Sequence, residues 1–122
     1  MAYLLLWSAI ERYTAFAYGP GLDPVERVKR LGNDSLFVAA AQDVIKRSDC
    51  VYDSRDPDQR YDLKRDKPEN SSLYFYGVRS NLSHRGKGAY ADGEKVRKSL
   101  NELLAIFDRL LAGSRRAGGM RR

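Results

Sequence analysis

Two residue types that often carry chemistry are nearly missing from this chain of 122 residues: it has one histidine, His84, and one cysteine, Cys50. A single cysteine excludes a disulfide within the chain and points to a reducing, cytoplasmic setting. With no second histidine to activate it, Cys50 reads as an inert thiol. One histidine with no carboxylate cluster beside it makes a poor metal site, so neither metal nor other cofactor is expected. Long apolar runs are missing too. None approaches the roughly 20 residues that cross a bilayer, so no membrane partner is expected. Met1 to Trp7 is apolar, but no basic stretch precedes it and Glu11 and Arg12 follow closely, which argues against a signal peptide.

Acidic residues are missing from two particular places. The segment 79–88 carries Arg79, Arg85 and Lys87 with no acid, and the chain after Leu111 carries Arg115, Arg116, Arg121 and Arg122 with none. Taking these seven cations from the 22 Lys and Arg leaves 15 against 16 Asp and Glu, so the net charge of +6 lies wholly in those two stretches. A near-neutral body with localised cations favours polyanion contact at one place. For the tail alone, a solubilising basic extension explains the charge equally well.

The length fits one domain, taken as residues 1–112, followed by a basic flexible tail, 113–122. Ala2 to Ala17 predicts a helix apolar on nearly every side, suited to the centre of a bundle or to a contact with a partner. Gly19-Pro-Gly21 ends it, and Asp23-Pro-Val-Glu26 supplies an N-cap, a first-turn proline and a capping-box glutamate for a helix ending near Gly32. Asn33 or Asp34 caps a third helix reaching about Arg47. Residues 48–70 form a polar excursion, either a long loop or a frayed helix, with Tyr52, Tyr61 and Leu63 as anchors. Its six aspartates alternate with cations and lack the spacing of a calcium loop, so they read as solvated salt pairs. Ser71 or Ser72 caps a fourth helix from Leu73 to about Arg85, stopped by Gly86 and Gly88. Asp92 or a neighbour caps the last helix, whose Val96, Leu100, Leu103, Leu104, Phe107, Leu110 and Leu111 fall at helical intervals and read as core. No strand alternation stands out. The pattern predicts an all-α fold of four or five helices packed antiparallel.

Arg79-Ser-Asn-Leu-Ser-His84-Arg-Gly-Lys87 is the stretch that carries chemistry. An imidazole titrating near neutral pH among fixed positive charges suits acid–base work on a phosphodiester. A glycine and cations at a helix end also form an ordinary terminus, and that reading stands beside the first. RNA brings its own nucleophile, the 2′-hydroxyl. Cleavage then needs a base, an acid for the 5′-oxygen and positive charge on phosphate. His84 can fill either proton role, and Arg79 can clamp phosphate oxygens. On an ideal helix Arg79 and His84 lie about 140° apart, whereas Ser80 and Asn81 line up with His84. A two-fold partner would bring two such helix ends round one groove.

The run Tyr74-Phe-Tyr-Gly-Val-Arg-Ser-Asn-Leu-Ser-His-Arg-Gly-Lys87, between an opening Leu-Trp-Ser-Ala-Ile-Glu-Arg-Tyr helix and a Leu-rich closing helix, resembles the HEPN superfamily of small helical bundles. The similarity spans about Tyr3 to Leu111, with the polar excursion outside it. The family's mark, an arginine followed four to six residues later by a histidine, is met by Arg79 and His84. The resemblance implies a HEPN-like bundle acting as a homodimer with a shared cleft, and a metal-independent endoribonuclease. Arg79 and His84 would be catalytic; Ser80, Asn81 and Glu11 (or Arg12) would be auxiliary; Arg85 and Lys87 would hold the RNA. It further implies a toxin–antitoxin or phage-defence context with an antitoxin or other partner protein. Two positions depart from the pattern. Ser80 stands where Asn, Asp or His is frequent, and Gly86 stands where toxins paired with nucleotidyltransferase antitoxins carry tyrosine. Two rival readings use the same residues: a non-catalytic nucleic-acid or nucleotide-binding module, and a protein-interaction subunit whose first helix is the contact surface.

Overall fold

A computed structural model describes residues 2–53, 56–85 and 93–120, with side chains for 2–53, 58–82 and 93–113. Five helices and one hairpin follow in order: α1 Ala2–Tyr18, α2 Pro24–Asn33, α3 Ser35–Val44, β1 Asp49–Asp53, β2 Asp56–Leu63, α4 Pro68–Arg85 and α5 Gly93–Met120. The chain is mostly helical.

The helix boundaries follow local chemistry. Past α1, Gly19 takes φ 118°, a left-handed conformation that closes a helix, and its N–H donates to the Ala15 carbonyl at 3.0 Å. Pro24 opens α2, but the Asp23 side chain makes no cap bond, so the expected capping box does not form. A first-turn proline already fixes the entry dihedral and removes one donor that would need capping. Asp34 does cap α3, its carboxylate accepting from the Leu36 N–H at 2.9 Å. That helix stops at Val44, three residues short of the expected end, and Arg47 turns instead toward α5. Proline again opens α4, at Pro68, so the helix begins a turn and more before the serines expected to cap it. Those serines work inside: Ser71 Oγ bonds the Lys64 carbonyl and Ser72 Oγ the Val28 carbonyl.

The polar excursion is a correction. It is neither loop nor frayed helix but an antiparallel hairpin, pairing Asp49 with Leu63, Cys50 with Asp62, Val51 with Tyr61 and Tyr52 with Arg60, with an irregularity after Tyr52. The fold is therefore mostly helical, as expected, with one two-stranded sheet added to the five helices among the described residues. Alternation is present but hidden: Val51 and Leu63 are buried, whereas Tyr52, Asp58 and Arg60 are exposed. Tyr52 is thus no anchor; Val51 is. The hairpin lies against α4 at Gly77, where an added Cβ would come within 2.8 Å of Val51 Cγ1 and 3.1 Å of Tyr61 Cδ2. Only a residue without a side chain allows that approach.

The core gathers Tyr3, Trp7 and Ile10 of α1, Leu31, Phe37 and Ala41, Tyr74, Phe75 and Val78 of α4, and Leu103, Ile106 and Leu110 of α5. Two further expectations change. One side of α1 is buried while Leu5 and Phe16 stand exposed, at 71% and 93%, so the helix is peripheral rather than central. On α5, Leu104 and Leu111 are about half exposed, so the leucine stripe is wider than its buried part. The backbone of α5 also continues to Met120, through most of the segment expected to be a flexible tail. Caps and stops expected at Asp92, Gly86 and Gly88, and Arg121 and Arg122, lie outside the described residues.

Candidate functional site

The candidate site is built on α4, which α1 and the hairpin flank on different sides. Three contacts set α1 against α4. Tyr3 donates its buried hydroxyl to the Phe75 carbonyl at 2.8 Å, and burial holds its pKa well above the ordinary tyrosine value. Trp7 meets Tyr76 edge-on, ring centres 5.7 Å apart. One turn further, Arg79 Nη2 lies 3.1 Å from Glu11 Oε1, and the same guanidinium sits 5.8 Å from the centre of the Tyr76 ring. Arg79 is therefore fixed between an aromatic face and a carboxylate while its side chain keeps 29% of its exposure.

Ser80 and Asn81 are on another side of the helix and are buried, at 2% and 7%. Asn81 Nδ2 donates to the Tyr52 carbonyl of β1 at 2.8 Å, so this amide ties the hairpin to α4. A second capping of the same strand comes from α5, where Lys95 Nζ donates to the Cys50 carbonyl at 2.9 Å. The outer edge of β1 thus spends carbonyls on side chains of two helices rather than on another strand.

The backbone of α4 is helical through Arg85. Gly77, Asn81 and position 84 are spaced i, i+4 and i+7, so His84 stands on the stripe that carries the hairpin. Arg79 stands about 140° away, on the side of α1. The structure thus pairs Arg79 with Glu11 and places Ser80 and Asn81 in the interior. It does not bring Arg79 and position 84 onto one face within a single chain. The side chains of His84 and Arg85, and Lys87 as a whole, lie outside the described residues, as do the side chains of Arg115 and Arg116.

A cavity of about 240 Å3 opens near this end of α4, lined by Tyr3, Leu82, Val96, Leu100 and, at one side, Arg97. Its walls are almost wholly apolar.

A second charged cluster escaped the sequence reading. Arg47 makes a two-pronged pair with Glu102, Nε to Oε2 at 3.1 Å and Nη2 to Oε1 at 2.7 Å, and its Nη1 reaches Asp49 at 3.0 Å. Tyr74 donates its hydroxyl to the same Asp49 carboxylate at 2.8 Å, and Arg47 also lies over the Tyr74 ring. Burial would raise the Asp49 carboxyl, yet the Tyr74 hydroxyl, the Cys50 N–H, Lys95 and Arg47 together hold it below its ordinary value. Burial, then the bond to Asp49, pushes the Tyr74 hydroxyl up to about 12. This network stitches the segment between α3 and β1, the start of β1, α4 and α5 together. Lys46 and Lys98 line a cavity of about 260 Å3 beside it. Its members are spread from residue 47 to residue 102, and no local spacing announces such a set.

Chemically, the α1–α4 seam offers a guanidinium paired with a carboxylate, and the last turn of α4 carries the chain's one histidine. Compared with family models, curated proteins and solved structures, the chain finds no match in any of the three.

Proposed function

We propose that this chain is a HEPN-like helical domain that cleaves RNA without a metal ion, acting as a homodimer. The observation that carries the reading is the acid-free run 79–88, which holds the sole histidine and three cations. The partly exposed, pre-oriented Arg79 supports it. A guanidinium already stacked on Tyr76 loses less freedom on meeting a phosphate than one hanging in water.

The reaction balances without a further reactant. The 2′-oxygen forms a bond to phosphorus while the bond from phosphorus to the 5′-oxygen breaks. A base takes the 2′-hydroxyl proton, and an acid gives one to the departing 5′-oxygen, leaving a 2′,3′-cyclic phosphate and a 5′-hydroxyl. His84 serves as the general acid/base, with the second copy's His84 available for the complementary role. Arg79 stabilises the crowded phosphate, and Arg85 and Lys87 hold neighbouring phosphates. Glu11 acts on Arg79 rather than on substrate. The proposed setting is a toxin–antitoxin or defence system, with a partner protein that restrains the activity.

The test is incubation of RNA with the purified chain in excess chelator, beside His84→Ala. Wild type is expected to yield cyclic phosphate ends, and the variant to lose this product about a hundredfold or more. Equal cleavage by both, or cleavage only when metal is added, removes the mechanism.

A second reading rests on one specific arrangement. Arg79 already has an intrachain partner in Glu11, and α1 turns Leu5 and Phe16 outward. That combination fits a protein-interaction subunit whose contact surface is α1. RNA left uncut and unbound at low salt would favour it.

A further inference from the structure

Four of the large apolar side chains left exposed fall into two pairs, Leu5 and Phe16 on α1 and Leu104 and Leu111 on α5. Phe16 follows Leu5 by 11 residues, about three turns, and Leu111 follows Leu104 by seven, about two turns, so each pair marks one stripe of its helix. Ala9, also exposed, belongs to the first stripe, and it lines a cavity of about 160 Å3 with Ile10, Tyr13, Phe107 and Leu111. The two stripes therefore border one seam and look out from one side of the molecule. At its other end the seam brings Tyr3 beside Val96 and Leu100, so α1 and α5 run in the same direction. The midpoint of Leu5 and Phe16, between residues 10 and 11, thus lies beside the midpoint of Leu104 and Leu111, between residues 107 and 108.

From this we infer that the α1–α5 face docks a second copy of this chain, the two α1 helices antiparallel to each other and the two α5 helices likewise. It rests on the homodimer part of the reading above and names the face; the chemistry of the run 79–88 plays no part in it. A second copy fits because both pairs are self-complementary about one axis. A two-fold axis lying across the helices at the common midpoint sets Leu5 against the second copy's Phe16, and the same operation sets Leu104 against the second copy's Leu111. Unrelated stripes have no reason to share a centre. Arg12, the one cation of the α1 stripe, makes no ion pair among the described residues. The axis brings residue 12 level with Ala9 of the second copy, whose small side chain leaves room, and within two residues, about 3 Å, of the second copy's Glu11. A face two helices wide, about 20 Å, and as long as the 17 residues of α1, about 25 Å, projects to about 500 Å2. That is of the order of the roughly 800 Å2 of accessible surface per partner in a stable dimer.

Assembly is read by sedimentation velocity over a range of concentrations. Wild type is expected to be a dimer, and Phe16→Asp to raise its dissociation constant by about 30-fold or more, the mark of an aromatic anchor. Matching circular dichroism separates a lost interface from a lost fold. The axis also brings Asp108 level with its own copy, so Asp108→Asn is expected to tighten the dimer a few-fold. Register is read by cross-linking in a Cys50→Ser background. Leu5→Cys and Phe16→Cys chains, mixed, are expected to join through a short bis-maleimide. Either alone should not, because like positions lie 11 residues, about 16 Å, apart along the helices. A wild type that stays monomeric, a dimer untouched by Phe16→Asp, or cross-linking of either chain alone as strong as in the mixture overturns the inference. A dimer broken by Phe16→Asp and joined only in the mixture supports it whether or not RNA is cut, so this face and the nuclease reading fail separately.

Discussion

Arg79 has two neighbours of opposite character, and they set what its loss would do. The Tyr76 ring orients the guanidinium without neutralising it; Glu11 neutralises it. With both partners about a third exposed, the ion pair contributes about 0–1 kcal/mol and the ring contact a comparable amount. Arg79→Ala should therefore change the urea midpoint little while lowering RNA cleavage by about 10²–10³-fold, the usual cost of removing one charged donor from a crowded transition state. Glu11→Gln should act the other way on binding. It removes the anion that competes with phosphate, so RNA affinity rises a few-fold with stability changed by less than about 1 kcal/mol. Cleavage by Arg79→Ala at the wild-type rate would make Arg79 simply Glu11's structural partner. Both residues were legible as candidates from the sequence, and their pairing follows from where α1 crosses α4. Ser80 and Asn81 were legible only by helical spacing. The helical backbone runs on to position 84, but spacing cannot say that a hairpin covers that side, and the cover is what gives Asn81 its task.

The hairpin's dependence on α4 comes down to Gly77. Replacing a mid-helix glycine by alanine ordinarily stabilises by about 1 kcal/mol. At Gly77 the new Cβ would press on Val51 and Tyr61, which are held from behind by strand pairing, so the about 1–3 kcal/mol cost of overpacking should win. Gly113 provides the contrast. There a Cβ meets only the tip of Leu36 at 3.1 Å, a partly exposed side chain able to step aside. Gly77→Ala should lower, and Gly113→Ala raise, the denaturation midpoint in urea. Two midpoints moving together would mean that the hairpin yields as easily as Leu36. The same element explains where sequence reading stopped. The helices announce themselves through apolar spacing and through Gly19, Pro24 and Asp34. The strands do not, because Asp49, Asp53, Asp56, Asp58 and Asp62 are poor strand formers and the inward positions are few. Packing on a glycine in α4 and side-chain bonds from Asn81 and Lys95 supply what propensity lacks.

At the scale of the molecule, the roughly 140° between Arg79 and position 84 decides whether one chain suffices. A cleft needing both groups can draw Arg79 from one copy and His84 from the other, since a two-fold interface presents every residue twice. That arrangement is separable from one in which each chain works alone. Arg79→Ala and His84→Ala proteins are each expected to be inactive. Unfolded together and refolded as a mixture, half of the dimers would be mixed, and the shared cleft of each mixed dimer would keep one intact Arg79 and one intact His84. Activity should return in part, to at most about half of the wild-type level because only the mixed dimers keep both groups, rising and falling with the mixed fraction as the input ratio is varied. Two chains that each need their own Arg79 and His84 would give no recovery at any ratio. Native mass spectrometry of the same samples, which resolves the mixed dimer from both homodimers by mass, checks that mixed dimers formed, so a silent mixture containing them would rule out a cleft shared in this way.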